Sequence, residues 1–259
     1  MPLQGTTRWK RWLYPALLLA ALVGLWQVLA DSGALADVFG VESFLVPSPS
    51  EIASALWDNR SLLVENGWVT LREILLGFGC ALVAGLTFAV CLHLSETLRI
   101  AFYPLLVGSQ AIPILVFAPV LIVLFGYGIG PKLAIVAIIC FFPITVTALD
   151  GLRSVEPGAV SMMRTLDASR WQIFRRVEAP TALPGAFSGA KVAVAVAVIA
   201  VVFAEWSGSS SGGLGWLVFQ YNSNLRTAEV FAAAFVLALM SMALFGLVAL
   251  AERLVITWR

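Results

Sequence analysis

The stretch Ser161-Met-Met-Arg-Thr-Leu-Asp-Ala-Ser-Arg-Trp-Gln-Ile-Phe-Arg-Arg-Val-Glu-Ala-Pro180 decides how this chain folds. It is polar and basic, with Arg164, Arg170, Arg175 and Arg176, and it lies between two long apolar segments of a chain that is only 12% charged. A basic loop between membrane spans sits in water, and its positive charge places that water in the cytoplasm. Val160 to Leu166 reads as one short helix, Asp167-Ala168-Ser169 as a turn, and Arg170 to Val177 as a second helix that Pro180 and Pro184 end before the next span. Trp171, Ile173 and Phe174 form an exposed apolar face, which suits either a docking element or a surface resting on lipid headgroups.

Outward from this loop the chain is apolar. Of its 259 residues 60% are hydrophobic, with nine Trp, sixteen Phe and a single His, whereas soluble domains average about 45–50% apolar. The composition is that of an integral membrane protein, and a net charge of +1 gives no footing for nucleic-acid binding. About 20 apolar residues cross the hydrocarbon core, and six stretches qualify: 12–30, 68–93, 99–125, 131–150, 184–206 and 228–252. All are expected to be helices, because lipid offers the backbone no hydrogen-bond partners. The fold expected is therefore all-α and polytopic, with six transmembrane helices and cytoplasmic coupling helices between spans four and five. The segment 1–66 supplies the first span and an extracytoplasmic stretch. Residues 67–255 supply the core, with the loop at about 158–180. The first apolar run, 13–30, reads as a retained helix rather than a cleaved signal.

Charge orients the bundle. Arg8, Lys10, Arg11, Arg99, Arg153, the loop arginines, Arg253 and Arg259 fall on one side, and Arg60, Arg72, Lys132 and Arg226 on the other, together with Asp31, Asp37, Glu42, Glu51 and Asp58. Both termini are then cytoplasmic. On the outer side, Glu51 to Trp57 reads as a short amphipathic helix with Ser50 as its N-cap. Gly185, Gly189, Ala193 and Ala197, and likewise Gly77, Ala81 and Gly85, recur every four residues, as helix-packing faces do; the packing partner is either within the chain or a second copy. Pro104, Pro113, Pro119 and Pro143 kink spans three and four.

The loop resembles the "EAA" coupling loop of binding-protein-dependent ABC importer permeases, which reads Glu-Ala-Ala, three residues, Gly, nine residues, Ile-x-Leu-Pro. Met163-Arg-Thr-Leu166-Asp167-Ala168-Ser169-Arg170-Trp171-Gln172-x-Phe174-x-x-Val177-x-Ala179-Pro180 follows that spacing, with Ser161, Asp167 and Ala179 in place of the motif's Glu, Gly and Leu. Pro47-Ser-Pro49, Thr70-Leu-Arg72 with Gly77-Phe78, Phe142-Pro143-Ile144, and Ala204-Glu205 with Gly213-Leu-Gly215 are similar to the nitrate/sulfonate/taurine class. Gln110-Ala-Ile-Pro113, Phe125-Gly-Tyr-Gly128, Phe141-Phe-Pro143 and Ala204-Glu-Trp206 look closest to permeases for pyrimidine precursors of thiamine. The likeness covers about residues 45–255.

The resemblance implies a permease subunit rather than an enzyme. A separate ABC ATPase would contact Met163, Leu166, Asp167, Ala168, Trp171, Phe174, Val177 and Pro180. An extracytoplasmic solute-binding protein would deliver the solute, and a second copy of the chain would complete the pathway in the bilayer. Gln110, Pro113, Phe142 and Glu205 are candidates for lining it. The expected solute is a thiamine pyrimidine precursor, or an aliphatic sulfonate, taurine or nitrate. No Gly-x-x-x-x-Gly-Lys-Ser/Thr phosphate loop occurs, no His/Cys/Asp cluster has metal-ligand spacing, and no cofactor is expected. His93 reads as an interfacial residue, and Cys80, Cys91 and Cys140 as small core residues. Glu205 reads either as a carboxylate in water at a span end or as part of an outer vestibule. A stand-alone secondary transporter would instead require inverted repeats and buried ionisable groups near the midplane. The charges near spans, Glu73, Asp150, Lys191 and Glu205, all read as lying close to span ends.

Overall fold

The computed structural model describes residues 10–113, 116, 118–207 and 212–258, with side chains described from residue 13 onward. Arg8, Arg259 and the 208–211 part of the outer loop lie outside the described residues, as do the side chains of Lys10 and Arg11. The described residues are predominantly helical, with no strand among them. Five helices are long and apolar enough to cross a membrane: Leu13–Asp31, Arg60–Leu94, Ile129–Arg153, Arg170–Trp206 and Thr227–Val255. The chain divides into two compact units, Met1–Val64 with Leu217–Phe235, and Glu65–Trp216 with Val236–Arg259.

In the first unit, α1 (Lys10–Asp31) keeps no buried residue across its apolar window. That is the surface of a helix meant for lipid rather than water. Its Trp26 packs on Ile52, Ala55 and Ala232. After α2 (Ala34–Phe39) comes α3 (Pro49–Asp58), which begins at a capping box. Ser48 Oγ accepts from Glu51 N, and the Glu51 carboxylate accepts from Ser48 N at 2.8 Å. The cap is thus Ser48, not Ser50: Pro49 takes the first helical position, where its missing N–H costs nothing. The Ser50 backbone N–H instead donates to Gln27 Oε1.

The second unit holds most of α4 (Arg60–Leu94), then α5 (Glu96–Gly108), α6 (Ala118–Phe125), α7 (Ile129–Arg153), α8 (Pro157–Thr165), α9 (Arg170–Ile173) and α10 (Ala179–Trp206). Helix α11 (Leu214–Ser223) and helix α12 (Thr227–Val255) follow. The apolar stretch 99–125 does not form a single helix. Helix α5 stops after 13 residues, a 3-10 turn covers Ser109–Ala111, and α6 has only 8 residues. Neither helix alone spans about 30 Å at 1.5 Å per residue. Pro113 lies at the break: it carries no N–H, its ring disfavours helical backbone at the residue before it, and Ile112 is extended at φ −86°, ψ 120°.

The small-residue stripes pack within the chain. A Cβ on Gly185 would come to 2.7 Å from the Thr147 carbonyl oxygen, and one on Gly189 to 2.7 Å from that of Pro143, so α10 lies directly on α7. Gly77 and Gly85 bring α4 equally close to Val136 and Ile144 of α7. Cys140 is buried between α7 and α10 and donates to the Ala193 carbonyl, whereas Cys80 and Cys91 are exposed on α4 and do not belong to the core.

Candidate coupling element and buried polar cluster

Helix α8 ends in a left-handed turn at Asp167, φ 52°. Ala168 N donates to the Met163 carbonyl and Asp167 N to that of Arg164, both at 3.1 Å. This pair of bonds closes a Schellman turn, a place where glycine is usual. Asp167 therefore holds the backbone geometry of the glycine it replaces, which a short polar side chain permits. Ser169 and Gln172 form a second capping box that starts α9. The two helices thus make a hairpin whose turn is specified at both ends by local sequence.

Met162, Leu166 and Trp171 are 65%, 67% and 64% exposed. Trp171 stacks on the half-buried Phe174 with ring centroids 5.5 Å apart. Met163, Ala168, Val177 and Pro180 are half-buried. Ile173 departs from expectation: it is 5% exposed and belongs to the core, so the apolar face consists of Met162, Leu166 and Trp171 with the edge of Phe174. Met162 carries no motif identity here, and only its exposure reveals it. The second helix also does not stop at the prolines. A π-helical turn at Phe174–Glu178 leads into α10, and the helix continues unbroken to Trp206. The wider turn accommodates the missing Pro180 donor, and the Thr181 hydroxyl donates to the Val177 carbonyl at 2.7 Å.

The far end of α10 carries a second cluster that the sequence did not disclose. Glu205 is 1% exposed, so it is not an interfacial carboxylate in water. Its Oε1 accepts from the Thr70 hydroxyl at 2.8 Å, and its Oε2 accepts from Gly215 N at 2.6 Å and Trp216 N at 3.3 Å. Thr70 Oγ1 in turn accepts from Leu214 N, and Asn66 Oδ1 from Gly213 N, each at 2.8 Å. A Cβ on Gly213, which sits at φ 123°, would fall 2.2 Å from Glu205 Cδ, and one on Gly215 would fall 2.8 Å from Val202 Cα. The glycines let the backbone reach the carboxylate. Beside this lies a buried ion pair, Lys132 Nζ to Glu73 Oε1 at 2.6 Å, with side chains 2% and 3% exposed. Lys132 also donates to the Gly212 carbonyl. Lys132 is therefore not a solvated outer charge, and Glu73 and Glu205 are buried rather than interfacial. The arrangement fastens the segment 212–216 to α4 and α10, with both oxygens of Glu205 accepting hydrogen bonds from within the chain. Gln110 and Pro113 are exposed at the break between α5 and α6, and Phe142 is half-buried on α7; no hydrogen bond of Glu205 reaches any of the three.

Compared with known proteins, residues 81–257 match the family described as binding-protein-dependent transport system inner membrane component. The chain belongs to that family. It is 35% identical over 235 residues to a probable ABC transporter permease protein of Haemophilus influenzae, covering 91% of this chain and 93% of that one. It is 32% identical over 248 residues to a formylaminopyrimidine transport permease protein of Halalkalibacterium halodurans, covering 95% and 96%. Among solved structures it is similar to an inward-facing form of the MetNI methionine ABC transporter, with TM-score 0.67 and 22% identity over 76% of this chain and 98% of that chain. The chain is thus a multi-pass permease subunit of an ABC importer in the cell membrane. It has the all-helical permease fold and is not itself an enzyme. ATPase and solute-binding-protein partners follow from the family. The secondary-transporter reading falls away.

Proposed function

We propose that the chain crosses the membrane six times with both termini cytoplasmic, the third crossing being made by α5, the Pro113 break and α6 together. Residues 67–255 act as the permease core, and two identical copies enclose the solute path, which Gln110, Pro113 and Phe142 help to line. In each copy the α8–α9 hairpin docks on an ATPase subunit through Met162, Met163, Leu166, Trp171 and Phe174. Asp167 and Ala168 set the turn at the contact, and Val177 and Pro180 lie where the hairpin passes into α10.

The observation that carries this reading is the exposure of Met162, Leu166 and Trp171 around a turn fixed by a Schellman closure and a capping box, flanked by exposed Arg164, Arg170, Arg175 and Arg176. Large apolar side chains exposed on an otherwise polar element are typical of a contact surface. Ala168→Glu puts a charge in that contact. Purified with its ATPase, this variant should lose the ATPase subunits while remaining inserted and folded; full ATPase retention would remove the docking role.

For the solute, the reading is a small polar heteroaromatic compound of the formylaminopyrimidine kind. It is supported by the likeness to the Halalkalibacterium halodurans permease and by the Gln110–Pro113 and Phe125–Gly128 motifs. Glu205 lends no support, because it is buried and holds the 212–216 segment. Aliphatic sulfonate or taurine is the second reading, since permeases named for those solutes are 26% and 27% identical to this chain. Binding of formylaminopyrimidine or of taurine by the solute-binding protein that stimulates this complex separates the two.

A further inference from the structure

From the contacts at the cytoplasmic end of α4, we infer that His93 and Glu178 are positioning residues that carry movement of the coupling hairpin into α4. This rests on reading the hairpin as the ATPase docking element. His93 Nε2 donates to Glu178 Oε2 at 2.9 Å, with side chains only 14% and 16% exposed. Glu178 closes the π turn directly behind α9. At the other end of the same short segment, Arg170 donates to the Leu94 carbonyl at 3.3 Å. The last carbonyls of a helix have no partner of their own, and a cation there also meets the helix dipole favourably. The final turn of α4 is thus gripped from both ends of residues 170–178, by one bond to a side chain and one to an orphan carbonyl.

The same helix holds Asn66, Thr70 and Glu73, which fasten the 212–216 segment and Lys132. Leu94 and Thr70 are about 36 Å apart along α4 at 1.5 Å per residue. Helix α10 runs over the same interval, from the π turn at Glu178 to Glu205, and Glu205 accepts from Thr70. Helices α4 and α10 are therefore tied together at both ends, by His93–Glu178 and by Thr70–Glu205. A hairpin displaced by the ATPase moves α10 through continuous backbone. It moves α4 through the His93–Glu178 clasp, with the weaker Arg170–Leu94 bond beside it. Packing of Ala89 and Leu92 against Ala148 and Leu149 keeps α4 in the bundle without fixing it to residues 170–178.

Native Cys80, exposed on α4, gives a reporter that needs no solute. In a Cys91→Ser background, the full complex with ATPase in nanodiscs carries a nitroxide on Cys80, and its spectrum is recorded with and without ATP plus orthovanadate. The unaltered clasp should give a nucleotide-dependent change. His93→Leu and Glu178→Leu should each diminish it clearly, the Arg170–Leu94 bond remaining, while ATPase stoichiometry stays that of the parent. The double variant should be no worse than either single, and His93→Gln, whose amide still donates, should restore the change. A full change in His93→Leu, or no change in the parent, overturns the inference. Parental ATPase retention in Ala168→Glu overturns the docking reading instead, and the inference with it; the two failures are read from separate measurements.

Discussion

Thr70 donates its hydroxyl hydrogen to Glu205 Oε1 at 2.8 Å, joining two spans 135 positions apart in sequence. With the backbone donors of Gly215 and Trp216 on the other oxygen, the carboxylate is the node on which 212–216 closes. Removing it strands a buried hydroxyl and two amides. Glu205→Ala should therefore destabilise the protein by about 3–6 kcal/mol at about 1–2 kcal/mol per stranded group, read as a fall in the detergent-solubilised unfolding midpoint. Glu205→Gln, which keeps an acceptor but turns two amide hydrogens toward donors, should lie between Ala and the parent.

Gly213 adds a second handle on the same segment. At φ 123°, with a would-be Cβ running into Glu205, Gly213→Ala combines backbone strain with a clash and should cost at least about 1–3 kcal/mol. Gly24 on α1 has nothing within 4 Å. Gly24→Ala should leave the midpoint unchanged or slightly higher, helix propensity favouring Ala by about 1 kcal/mol. Equal effects of the two substitutions would contradict this account of the segment.

The Lys132–Glu73 pair should behave asymmetrically. Lys132→Met leaves a buried, unpaired carboxylate and should cost about 3–5 kcal/mol, whereas Lys132→Met with Glu73→Leu removes both charges and should recover most of that. A double-mutant cycle on thermal midpoints measures the coupling. Additive losses would mean that the two residues do not depend on each other.

Asp167 should prefer to be glycine. Its left-handed backbone, φ 52°, costs a non-glycine residue up to about 1–2 kcal/mol, less for Asp. Asp167→Gly should hold or raise stability and leave ATPase association at least as strong, while Asp167→Val should lower both. Parallel unfolding and ATPase co-purification assays decide it.

What could be read in advance follows from how local the physics is. The Ser48–Glu51 box is written in four consecutive residues, although the sequence reading put the cap two residues late. The Asp167 turn was legible because a Schellman closure is set within six residues. The long apolar runs at 60–94, 129–153 and 227–255 are visible by composition alone. The third span misled because the same composition hides a break. Pro113 reads as a kink, yet the chain there leaves the helix altogether, through a 3-10 turn at Ser109–Ala111 and an extended Ile112. Charge placement failed at Lys132 for the opposite reason. A lysine at a span end looks solvated until Glu73, 59 positions earlier, is seen to pair with it. Glu205 is the same case, since its partners come from Thr70 and from a glycine segment whose approach no spacing announces. Hairpin exposure was only half legible: a helical face can be drawn, but which edge turns inward depends on tertiary packing, and Ile173 lies in the core.

The most direct test of the central claim is a photocrosslink from the hairpin. With a benzoylphenylalanine placed at Trp171 and, separately, at the exposed Val38, the intact complex is irradiated in native membranes. The account predicts a covalent adduct between this chain and the ATPase subunit from position 171 and none from position 38. An ATPase adduct from position 38, or its absence from 171 in a complex that co-purifies with ATPase, would contradict it.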